Sequence, residues 1–198
     1  MKKIILPLVT LVLIIGTLFF ILSLNQTKEI TSNAEIEAIK QDANLDIIVN
    51  LGNFSIDSYS ERKLLDVAMQ YAMKLNLLHD ESNDFFYFQY ADEKTIHDLI
   101  FELTGKTIEK PIEIEDFYYL YNKENSFYYY LGASPSYYKV SNIKSIQKTN
   151  NKYLINCSIQ KTEDGEISIL EDVSITLNYI SENKVIKYQV ENIIINKK

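Results

Sequence analysis

Met1-Lys2-Lys3 precedes a charge-free apolar run from Ile4 to Leu24, after which charged residues recur every few positions. As a helix, that run would rise about 30 Å, the hydrocarbon thickness of a bilayer. The pattern predicts a transmembrane helix within an anchor over residues 1–28. Pro7 falls in the first turn, where a missing N–H costs little. The leading lysines favour an N-terminus left in the cytoplasm and a C-terminal domain sent outside. Around the end of the apolar run the chain reads Leu22-Ser23-Leu24-Asn25-Gln26, without the small residues just past it that a signal peptidase wants, and the lone cysteine is far away at position 157. A retained signal anchor is therefore expected, with a cleaved and secreted form as its alternative. Residues 29–34 read as a polar stalk and residues 35–198 as one extracytoplasmic domain.

Beyond the stalk the spacing is helical first and alternating later. Ile36 and Ile39 suggest a helix from Glu35 to about Ala43, while Asn44 to Gly52 fits either a buried strand or a helix end. Ser58 and Glu61 have capping-box spacing ahead of Leu64, Ala68, Tyr71, Leu75 and Leu78, which predicts a helix over Tyr59 to Leu78. His79 to Asp84 reads as a polar loop, and Phe85 to Phe88 as a short strand or packed loop. Asp92 is the expected N-cap of another helix, whose inward face is Ile96, Leu99, Ile100 and Leu103 and whose C′ residue is Gly105. After Pro111, candidate strands run near 117–121, 127–131, 137–147, 152–161, 167–180 and 184–195, joined by short polar turns. Short links favour antiparallel neighbours. The expected fold class is α+β, with helices packed on a curved antiparallel sheet of about five to six strands.

Composition changes this picture in two ways. A net charge of −7 argues against a nucleic-acid partner, which wants a clustered basic surface. Abundant Ile, Asn, Lys and Tyr, with Arg62 as the only arginine and no tryptophan, match the codon usage of a low-GC genome, so a Gram-positive bacterial source is inferred. Fifteen tyrosines then carry less functional weight than their number suggests. Cys157 has no partner for a disulfide or a thiolate metal site and alternates with Ile155 and Ile159, as a small core residue would.

Local motifs give little chemistry. Gly105-Lys106-Thr107 lacks the upstream glycine of a phosphate loop, and Asp42, Asn44 and Asp46 lack the glycine and glutamate of a calcium loop. No metal and no cofactor are expected. Glu93 and His97 stand one helical turn apart, so the carboxylate could orient or charge the imidazole. No strand–Gly-x-Ser-x-Gly turn is present.

The most unusual segment is Phe117 to Tyr138. Tyr119 and Tyr121 should share one face of a strand, and Tyr128 and Tyr130 one face of the next, with further aromatics between them. One sheet face can be core; the other must be covered or present rings to a ligand or partner. These four tyrosines are the candidate binding residues. The layout of Lys2-Lys3 with Ile4–Leu24, then Leu99–Gly105 leading into tyrosine-rich strands and a terminal meander, resembles the signal-anchored extracytoplasmic domains of low-GC Gram-positive bacteria. That resemblance implies a nuclear-transport-factor-2-like or cystatin-like fold at the cell envelope. The expected function is a membrane-anchored, non-enzymatic module binding an envelope protein or cell-wall component. The alternative is a cell-wall hydrolase using carboxylates and His97.

Overall fold

A computed structural model describes residues 26–82, 87–114, 118–131, 136–163 and 166–196. The expected transmembrane helix lies outside the described residues, none of whose helices is long and apolar enough to cross a membrane. The described residues form four helices and ten strands, all paired antiparallel: an α+β fold. In chain order they are β1 (Lys28–Ile30), α1 (Asn33–Asp42), α2 (Leu45–Ile48, continued by a 3-10 turn over Val49–Leu51), β2 (Phe54–Ser55) and α3 (Glu61–Lys74). Then follow β3 (His79–Ser82), β4 (Tyr87–Asp92), α4 (Glu93–Thr104), β5 (Tyr119–Asn122), β6 (Phe127–Tyr130), β7 (Ser136–Thr149), β8 (Lys152–Glu163), β9 (Glu166–Tyr179) and β10 (Tyr188–Asn196). The segment read as a stalk is thus built into the fold, since β1 pairs with β7 and α1 opens at Asn33.

The expected single sheet is two. A six-stranded sheet has the order β1-β7-β8-β9-β10-β2, and a four-stranded sheet the order β3-β4-β6-β5. The division follows from β4, which pairs with β6 and so draws the tyrosine-rich strands away from the terminal meander. His79–Ser82, read as a loop, is instead the edge strand β3. Its polar sequence hides the alternation, and Asp80 opposite Gln89 accepts that residue's amide at 3.1 Å.

The core lies between the helices and one face of the larger sheet. Val140, Ile146, Ile155, Ile159, Ile175 and Leu177 are buried there, and Leu65, Ala68 and Ala72 of α3 with Ile96 and Ile100 of α4 are buried in the same cluster. Cys157 is buried among them, and burial pushes its thiol up to about 11, an inert core residue. The opposite face carries polar ladders: Asn156 donates to Ser145 and accepts from Ser174, and Lys152 pairs with Glu191. Register shifts in β7 after Val140 and Ile143 and in β10 after Val190 mark bulges, which bend and twist strands.

Helix ends follow local chemistry. Asp92 caps α4 by accepting the Thr95 N–H at 2.8 Å, and Gly105 ends it at φ +70°, as expected. The N-cap of α3 is Ser60, not Ser58, whose backbone is held in a tight exchange with Ser55. The far end of α3 stops at Lys74, because Asn76 turns left-handed and Leu77 N–H reaches back to the Ala72 carbonyl. Leu75 and Leu78 therefore pack from beyond the helix.

Candidate functional site

Pairing in the smaller sheet decides which way its rings face. Tyr119 stands opposite Tyr130 and Tyr121 opposite Tyr128, so all four candidate tyrosines share one face. That face turns toward α3 and α4. Tyr119 is buried and donates its hydroxyl to Asp66 of α3 at 2.5 Å, under the Arg62 guanidinium 4.3 Å from its ring centroid. Tyr128 is buried and accepts the Ile112 N–H at 2.7 Å. Tyr121 donates to Glu93 of α4 at 2.5 Å. Burial, together with the Asp66 charge, raises the Tyr119 and Tyr130 hydroxyls above their usual range, so both stay protonated. Tyr119 and Tyr128 are thus core residues that tie sheet to helix, while Tyr121 and Tyr130 are partly exposed.

His97 belongs to the same network. Its Nε2 lies 3.3 Å from the Tyr128 hydroxyl and its Nδ1 3.9 Å from Glu93. The Tyr128 oxygen thus accepts the Ile112 N–H and lies within reach of His97 Nε2 at the same time. Burial lowers the imidazole pKa, and Glu93 and Asp98 oppose that shift only in part. A neutral His97 can accept a proton, but the hydroxyl beside it is fully enclosed and offers no open nucleophile. The ring flanks a shallow depression bounded by Glu93, Lys94, Asn125 and Ser126.

A better-formed cavity, of about 350 Å³, opens between α2, α3, the start of β7 and the inner face of the smaller sheet. Tyr119 and Tyr130 form one wall, in contact at 5.5 Å between ring centroids. Asp66, Gln70 and Met73 contribute successive turns of α3, and Tyr137, Tyr138 and Lys139 line the β7 side. Asp46 and Asn50 close the third side and clamp β7: Asp46 accepts the Val140 N–H at 2.8 Å, and Asn50 accepts the Tyr138 N–H at 2.7 Å while donating to its carbonyl. The cavity brings Tyr119 and Tyr130 together with Asp66, Gln70 and Met73, which no local motif singled out. The i, i+4 and i+7 spacing of Asp66, Gln70 and Met73 was the legible signal, but it reads equally as a solvated helix face.

The other face of the smaller sheet presents Phe88, Leu120 and Tyr129, partly buried, with exposed Leu131 around a shallow hollow. Tyr90 stacks on Tyr129 there at 5.4 Å. Both faces of these strands are therefore aromatic. Among the described residues no three His, Cys, Asp or Glu side chains converge as a metal site would require. No family model, no curated protein and no solved structure matches this chain.

Proposed function

We propose that this chain is a membrane-anchored extracytoplasmic module that binds an envelope protein or cell-wall component without catalysing a reaction. The anchor rests on the apolar run Ile4–Leu24, and the binding role rests on the cavity between α2, α3 and the tyrosine strands. One observation carries the reading. The carboxylates on that cavity, Asp46 and Asp66, are engaged by a backbone N–H and a tyrosine hydroxyl, which favours binding over catalysis in the ring-lined space beside them. A photo-crosslinking residue replacing exposed Tyr137, in the full chain in its own membrane, tests this. Capture of an envelope component from position 137, and not from Ile194 on the larger sheet, supports the site; equal capture from both removes it.

The hydrolase reading keeps one observation in its favour, a neutral His97 beside Glu93 at the rim of a depression. Cell-wall digestion by the intact chain that disappears in His97→Ala would establish it, and no digestion at all would end it.

A further inference from the structure

We infer that the cavity between α2, α3, β7 and the smaller sheet takes one or two rings of a neutral saccharide. The inference rests on the reading of that cavity as a binding site and names its ligand class. Four tyrosine rings, Tyr119, Tyr130, Tyr137 and Tyr138, line a space of about 350 Å³. That is near the small end of ligand sites, which span about 300–1,000 Å³. Sugars present apolar C–H faces to rings and hydroxyls that both donate and accept, and planar amide and carboxylate groups beside rings suit them.

Charge balance decides against ionic ligands. Asp46 and Asp66 supply two negative charges, while Lys139 lines the cavity and Arg62 lies 3.9 Å from Asp66. The place that an organic cation would take over the Tyr119 ring is already held by Arg62 at 4.3 Å. An anion would meet two carboxylates at close range. What remains for a ligand is neutral: among the described residues, the Gln70 amide and the Tyr130 hydroxyl on the wall make no hydrogen bond within the chain. Half-buried donors and acceptors of this kind are satisfied by water or by a hydroxyl-rich guest.

The test uses the full chain in detergent micelles with 13C-labelled tyrosine rings. It is titrated separately with chitobiose, cellobiose, choline and benzoate. A neutral disaccharide should shift the Tyr130 and Tyr137 resonances saturably. Gln70→Ala should weaken that binding about tenfold, and Tyr130→Phe about three- to tenfold, as expected for loss of one hydrogen bond. Both variants should keep the parent's unfolding midpoint, which separates lost contact from lost fold. If choline or benzoate moves those rings and the sugars do not, the ligand class is wrong and the binding site stands. If no probe moves them, both the class and the site fail.

Discussion

Tyr119 and Tyr128 show how one residue type divides between core and site. Each is buried, and each hydroxyl has a specific partner: Asp66 for Tyr119, the Ile112 N–H and His97 for Tyr128. Tyr128→Phe keeps the ring but leaves a buried N–H without its acceptor, which costs about 1–3 kcal/mol. Tyr128→Ser also empties a ring-sized space and should cost about 3–5 kcal/mol, enough to unfold a marginal domain. Tyr129→Ser, on the opposite face and partly exposed, should cost much less. Urea midpoints for the three variants check this ordering; equal losses at 128 and 129 would mean that the faces are assigned wrongly. His97 adds a pH dependence. Because burial lowers its folded pKa, the unfolded chain takes up the proton first as pH falls. Stability is therefore undiminished above the unfolded value of about 6.5, declines below it and levels off under the folded value. His97→Gln should flatten that decline in urea midpoints taken between about pH 8 and 5.5. An unchanged slope would place the titration elsewhere.

Helix α4 is held at both ends by single residues, and the two ends are far enough apart to act independently. Asp92→Ala removes the acceptor for the Thr95 N–H and should cost about 0.5–2 kcal/mol. Burial alone would raise the Asp92 carboxyl, but the Thr95 N–H and hydroxyl outweigh it and lower the pKa. The cap's charge-dependent share is accordingly present above the unfolded value of about 3.9 and lost as pH falls through the folded one. Gly105→Ala forces a side chain into φ +70°, against a Gln189 amide 3.2 Å away, and should cost about 1–2 kcal/mol. The double variant should lose the sum to within about 0.5 kcal/mol, measurable by urea unfolding. These ends were legible because caps are local chemistry. The end of α3 was less so, since Leu75 and Leu78 continue the helical spacing while Asn76 breaks the backbone. Strand β3 was not legible at all, because His79-Asp80-Glu81-Ser82 carries no apolar residue to show alternation. The tyrosine strands were readable as strands, but consecutive aromatics erase the inside–outside signal. Only the pairing of Tyr119 with Tyr130 and Tyr121 with Tyr128 assigns their faces.

At the scale of the whole molecule, the larger sheet ends on very short strands. Three residues of β1 pair with residues 146–148 near the far end of β7, and two residues of β2 pair with β10. Short edge strands limit the backbone offered to another chain. Here β1 does more than limit it: Ile30 is buried in the core, and Lys28, Glu29 and Ile30 pair with Lys148, Gln147 and Ile146. The strand follows directly on the apolar run of the proposed anchor, so the domain's first pairing lies beside the point where the chain would leave the membrane. That arrangement separates two truncations that composition alone would treat alike. Removing residues 1–25 leaves β1 intact, and the remaining chain should gain no new self-association and keep its core. Removing residues 1–32 takes away Ile30 and bares the β7 backbone opposite it, both a core loss and a free edge. The longer deletion should cost about 2–5 kcal/mol for the lost side chain and should self-associate through β7. Light scattering after size exclusion, with urea midpoints on the same samples, compares the two. Association of the longer deletion that Gln147→Lys, a charge at an exposed position of the bared strand, does not reduce would show that the contact lies elsewhere than β7. Equal behaviour of the two deletions would show that β1 adds nothing to the sheet it borders.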